Sequence, residues 1–140
     1  PFGDFYLRED STRDIICIGG GCGMAPIRSI LLHLAQKDMP RKVMYFFGAR
    51  SKKDLFFSEF LFGLQAKYPN FKYIPVLSEP KPLDNWEGEA GFVTQAVERY
   101  VADGSDGEAY LCGPPPMIDA SINVLTKKGV KEVYIYYDKF

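Results

Sequence analysis

The sequence predicts an α/β fold, a three-layer, doubly wound, five-stranded parallel sheet with helices on both faces. Three observations carry that reading. Short apolar runs such as Ile15-Ile16-Cys17-Ile18 and Val43-Met44-Tyr45-Phe46-Phe47 alternate with segments whose apolar residues recur every three or four positions. Several of the runs end directly in glycine. A length of 140 residues, 46% hydrophobic and 25% charged, gives one domain with one sizeable core.

The first strand follows Asp14 and runs into Gly19-Gly20-Gly21-Cys22-Gly23. Ile27, Ile30, Leu31 and Leu34 then line one side of a helix ending near Gln36, and Pro26 suits its first turn because a proline lacks the N–H that would be unpaired there. Lys37-Asp38-Met39-Pro40 breaks this pattern. The second strand is Val43 to Phe47, closed by Gly48-Ala49-Arg50-Ser51. A second helix is expected from about Asp54 to Lys67, with Tyr68-Pro69-Asn70 as its stop.

Phe71 to Leu77 reads as the third strand, with Pro75 pointing to an edge or irregular position. A proline-rich loop, 78–88, carries the single tryptophan, Trp86. Phe92, Ala96, Val97 and Tyr100 mark a third helix over 92–101. The turn 103–107 leads to a fourth strand from Glu108 to Cys112, which ends in Gly113-Pro114-Pro115-Pro116. A fourth helix follows from Met117 to Lys128, Gly129 stops it, and Val133 to Tyr137 is the fifth strand.

Composition narrows the function. A net charge of −1 and a pI near 5.9, with no run of like charge, argue against nucleic-acid binding. No apolar stretch approaches a membrane span, so a soluble unit is expected. The three cysteines, Cys17, Cys22 and Cys112, match no zinc or iron–sulfur spacing, so no metal site is expected and a reducing compartment is the simpler inference. One histidine, His33, sits within the first helix and reads as a surface residue.

The chemistry gathers at strand ends. Four glycines in five positions, between a buried strand and a helix N-terminus, let an anion approach the main chain without a Cβ in the way, while the helix dipole adds partial positive charge. The bland alternative is a tight turn, for which one or two glycines suffice. The spacing departs from Gly-x-Gly-x-x-Gly, since Pro26 stands three after Gly23, so a dinucleotide domain other than the usual dehydrogenase type is expected. Gly48-Ala49-Arg50 and Cys112-Gly113-Pro114 end the second and fourth strands, and ligands of doubly wound sheets bind beyond those carboxyl ends.

At these residues the chain resembles the NAD(P)H-binding domain of the ferredoxin–NADP reductase superfamily. The resemblance rests on Gly19 to Pro26, on Gly48-Ala49-Arg50-Ser51 with Asp54-Leu55, and on Cys112-Gly113-Pro114-Pro115-Pro116-Met117. Leu77-Ser78-Glu79-Pro80, Asp84 to Gly88, Gly91-Phe92-Val93 and Asp138-Lys139-Phe140 look most like the flavoprotein component of sodium-translocating NADH:quinone reductases and the reductase components of phenol and toluene monooxygenases. The resemblance implies strand order 3-2-1-4-5. It also implies an NADH-dependent flavoprotein reductase that passes hydride to FAD, then electrons to an iron–sulfur cluster and a quinone or oxygenase. Residues 1–10 would be the linker from an FAD-binding β-barrel and 11–140 the nucleotide domain. A 2Fe-2S domain is expected elsewhere in the polypeptide. The nucleotide domain alone should then be inactive, on the cytoplasmic side, with a parent attached to the inner membrane in the quinone-reductase case.

The implied cofactor contacts are Gly19, Gly20, Gly21, Cys22, Gly23, Met24, Ala25, Pro26, Gly48, Ala49, Arg50, Ser78, Glu79, Cys112, Gly113, Pro114, Pro115 and Met117. Cys112 would lie beside the nicotinamide and Phe140 across the flavin; their alternatives are a buried strand cysteine and an ordinary terminal aromatic. Arg50 would meet a phosphate or the adenosine, against the alternative of a solvated arginine. Glu79 after Ser78 would repel a 2′-phosphate, which favours NADH over NADPH, with Lys52, Lys53 and Lys81 as counterweights. Two rivals stand: a nucleotide-binding regulatory module without redox activity, and a self-sufficient dehydrogenase, which lacks a Tyr-x-x-x-Lys pair here.

Overall fold

A computed structural model of the chain describes residues 5–21, 24–55 and 57–140. Among these residues six strands, β1 (Asp14–Gly20), β2 (Val43–Ala49), β3 (Phe71–Leu77), β4 (Glu89–Ala90), β5 (Gly107–Gly113) and β6 (Ile135–Lys139), form one sheet. Its order is β4-β3-β2-β1-β5-β6, and every pair is parallel. The helices are α1 (Met24–Gln36), α2 (Ser58–Lys67), α3 (Val93–Tyr100) and α4 (Pro115–Lys127).

The five long strands stand in the expected order. The sixth, β4, is a correction: it is only two residues long and caps the edge beside β3. Its length explains Pro75. On one side Pro75 pairs with Phe47, but β4 reaches only Val76 and Leu77, so the missing N–H of Pro75 lies where β3 is still an outer strand.

Alternation along the strands builds two cores. Ile15 and Cys17 point to the side of α1 and α2, where Ile27, Leu31, Leu61, Tyr45 and Tyr110 join them. Ile16 and Ile18 point the other way, to Phe46, Val97, Leu111, Ile118 and Leu125 under α3 and α4. Burial on both faces is what makes the central strands read as unbroken apolar runs.

Three element boundaries differ from expectation. Helix α2 begins at Ser58 rather than near Asp54, because Lys52–Asp54 form a separate 3-10 turn that the Asp54 carboxylate closes onto Ser51, and Leu55 is extended. Strand β6 starts at Ile135, after a 3-10 turn at Glu132–Tyr134, and ends nearer the chain terminus. Helix α4 starts at Pro115, where prolines are tolerated because first-turn amides have no internal partner.

The segment before β1 is tied to the domain. Phe5 packs edge-on against Tyr110, and the Arg8 amide donates to Tyr110 Oη at 2.9 Å. Arg41 lies beneath, donating to the carbonyls of Arg13 (2.8 Å) and Arg8 (3.0 Å) and to Glu108 Oε1 (2.8 Å). Tyr110 also donates to Glu108, at 2.7 Å. The side chains of Arg41 and Glu108 are 8% and 2% exposed.

Candidate functional site

The strand order reverses between β1 and β5, because the chain steps from β1 to β2 on one side and later returns to lay β5 on the other. Beyond the carboxyl ends of the strands lies a cleft of about 550 Å³. Its floor is main chain. Gly20 pairs with Gly48 across β1 and β2, and Gly19 pairs with Cys112 across β1 and β5. Ladder bonds continue past the strand ends, from Ser78 N to Ala49 O (2.9 Å) and from Glu79 N to Arg50 O (2.8 Å).

Of the residues singled out from sequence, Gly20, Gly21, Gly48, Ala49, Arg50, Ser78, Pro114 and Met117 line this cleft together. Others do not. Gly19 is buried at the end of β1, where an added Cβ would lie 3.0 Å from Tyr45 Oη. Met24 is packed in the core, Ala25 is exposed and Pro26 half-buried on the first turn of α1. Glu79 and Pro115 are exposed outside the lining, and Gly113 is buried behind it. Cys22 and Gly23 lie outside the described residues.

Cys112 is fully buried among Cys17, Tyr45 and Tyr110. Burial, helped by the negative charge of Asp138, pushes its thiol up to about 12, so it is neutral and no nucleophile. Phe140 ends the sheet beside the cleft: its amide donates to Gly113 O at 3.0 Å and its side chain is 57% exposed.

Reading from sequence missed Phe47, Asp54, Gly91, Phe92 and Val93 as lining residues. Gly91-Phe92-Val93 had a signal in the motif resemblance, and Phe92 is a large aromatic left 71% exposed. Asp54 had none beyond its place in the second signature, because the 3-10 turn that carries it to the cleft is a tertiary outcome.

The lining fits a diphosphate. Gly21 adopts φ +59, with nothing within 4 Å of where its Cβ would stand, so the main chain is open to a ligand there. Helices α1 and α4 both begin near the cleft with no acidic residue in the first turn. The dipoles of both and the first-turn amides of α1 favour an anion, while α4 opens on Pro115-Pro116, which have no N–H. Arg50 is exposed on the lining, and no hydrogen bond or ion pair engages its guanidinium among the described residues. Among those residues there is also no cluster of His, Cys, Asp or Glu able to hold a metal, and no helix long and apolar enough to cross a membrane.

Residues 17–122 match a family model described as the oxidoreductase NAD-binding domain. The chain is 43% identical over 145 residues to one component of the Na(+)-translocating NADH-quinone reductase of Idiomarina loihiensis, covering 100% of this chain and 35% of that one. It is 40% identical over 141 residues to the xylene/toluene monooxygenase electron transfer component XylA of Pseudomonas putida, covering 100% of this chain and 40% of that one. Among solved structures it superposes on the Amycolatopsis cytochrome P450 reductase GcoB with a TM-score of 0.88 and 30% identity, over 100% of this chain and 42% of that one. The chain thus spans well under half the length of these relatives.

Proposed function

Because the chain belongs to the oxidoreductase NAD-binding domain family, we propose that it binds NADH and presents it to a flavin for electron transfer. The observation that carries this reading is one cleft at the reversal of strand order that gathers Gly20-Gly21, Gly48-Ala49-Arg50 and Pro114 with Met117. Bound there, a reduced nicotinamide supplies a hydride, and FAD is the acceptor able to take two electrons together and release them singly to an iron–sulfur cluster and a quinone or oxygenase.

The residues of this chain bind and orient; no acid or base is needed. The open main chain at Gly21 and the first-turn amides of α1 receive the diphosphate, and α4, which opens on Pro115-Pro116, adds its dipole and the Met117 amide. Arg50 pairs with the diphosphate or lays its planar cation against the adenosine. The nicotinamide lies toward β5 and β6, and Phe140 would shield the acceptor until nucleotide arrives. The flavin and the cluster belong to other domains of the working protein, as the greater length of the relatives supports. With NADH as substrate, the domain works on the cytoplasmic side.

Calorimetric titration with NADH tests the reading. One saturable site is expected, weakened by Gly21→Ala. No heat with either NADH or NADPH would overturn it.

A further inference from the structure

Resting on that reading of the cleft, we infer that Asp54 is the residue that selects a free ribose 2′-hydroxyl over a 2′-phosphate. Asp54 lines the cleft beside Arg50 and Ser78, at the β2–β3 end, away from β6 and Phe140. With the diphosphate centred on Gly20 and Gly21 and the nicotinamide toward β6, the β2–β3 end is left for the adenosine. Glu79, the carboxylate favoured by sequence position, is exposed and outside the lining.

The Asp54 carboxylate is also held in place. The Ser51 amide and the Ser51 hydroxyl both donate to its Oδ2 at 3.2 Å, and Ser51 is itself buried, 3% exposed. Its other oxygen, Oδ1, has no hydrogen-bond partner among the described residues. One oxygen is thus committed to the turn and one is open. An oriented, open carboxylate oxygen accepts from a ribose hydroxyl without further ordering, and it has no favourable contact to offer a phosphate dianion.

Arg50 shares the lining, and Lys52 and Lys53 flank Asp54 in the same turn. Of the other carboxylates nearby, Asp84 is occupied by the amides of Lys81 (2.9 Å) and Lys52 (3.4 Å), and Glu79 is exposed outside the lining. Without the Asp54 charge this end of the cleft is cationic and suited to a phosphate. Among the described residues Asp54 is the one acidic side chain in the lining, so selectivity turns on it.

The test compares Kd for NADH and NADPH in the wild-type chain and in Asp54→Asn, Asp54→Ala and Asp54→Glu, with circular dichroism to confirm folding. Neutralising Asp54 is expected to lower the ratio Kd(NADPH)/Kd(NADH) by about tenfold, chiefly through tighter NADPH binding. Asp54→Glu, which keeps the charge, is expected to retain a preference for NADH. The alanine variant serves if the asparagine variant misfolds, and the glutamate variant still reads the charge if both neutral variants fail. A ratio unchanged by neutralisation, with only the melting temperature lowered, would make Asp54 a turn cap and overturn the inference; so would a glutamate variant that prefers NADPH. Absence of binding by the wild-type chain to either coenzyme would instead defeat the underlying reading of the cleft.

Discussion

The thioether of Met117 occupies the space that a side chain at Gly20 would need: a Cβ there would lie 2.6 Å from Met117 Sδ, and one at Gly113 would lie 2.6 Å from Met117 Cε. A residue of α4 thereby bridges the ends of β1 and β5. Gly20→Ala displaces the flexible end of Met117 rather than backbone, so the fold is expected to survive while the cleft floor changes. We expect the Kd for NADH to rise about tenfold and the melting temperature to fall by only a few degrees. Calorimetry and thermal unfolding of the same variant separate the two effects.

The second prediction concerns Arg41 and Glu108. Arg41 joins the segment before β1 to the sheet through two carbonyls and one buried carboxylate. Arg41→Ala leaves Glu108 buried without its cation, and a loss of about 3–5 kcal/mol in urea unfolding is expected. Replacing both residues with apolar ones, as in Arg41→Met with Glu108→Leu, is expected to cost less than the single change.

Tyr45 gives an opposite sign. Its hydroxyl is fully enclosed and has no hydrogen-bond partner among the described residues. A buried donor left unpaired costs free energy, so Tyr45→Phe is expected to stabilise the chain by about 1 kcal/mol and raise the melting temperature by about 3 °C. A lower melting temperature would contradict this account.

The fourth prediction follows from the buried thiols. Burial pushes Cys17 upward, and pushes Cys112 from an ordinary 9.0 up to about 12. Such groups are neutral when protonated, and the unfolded chain ionises them first. Their contribution to stability is therefore complete below pH 9 and is lost as pH rises from about 9 toward 12. Each pH unit above 9 is expected to cost about 1.4 kcal/mol per thiol in denaturant unfolding. At pH 8, alkylation at Cys17 and Cys112, mapped by mass spectrometry, is expected to require unfolding.

Much of the fold was legible because burial on both faces writes itself into composition. Ile15 to Ile18 and Val43 to Phe47 are apolar throughout since helices cover both sides of β1 and β2. Boundaries near polar turns were less legible. At Ser51–Asp54 a side chain competes with the backbone for hydrogen bonds, and the helix restarts only at Ser58. Strand β4 escaped notice because two residues carry no periodicity.

The alternating architecture and the chemistry gathered at the strand ends are readable from the chain alone, since apolar runs, helical spacing and clustered glycines are local consequences of which groups must be buried or approached. Which side chains face the cleft is settled by packing in three dimensions. It put Asp54 in the lining and Glu79 outside it, and it closed Cys112 into the core while leaving Phe140 exposed. It also joined Arg41 to Glu108 across 67 positions of chain. Orientation beyond a strand end depends on register with neighbouring strands and on what packs above them, neither of which is written in adjacent residues.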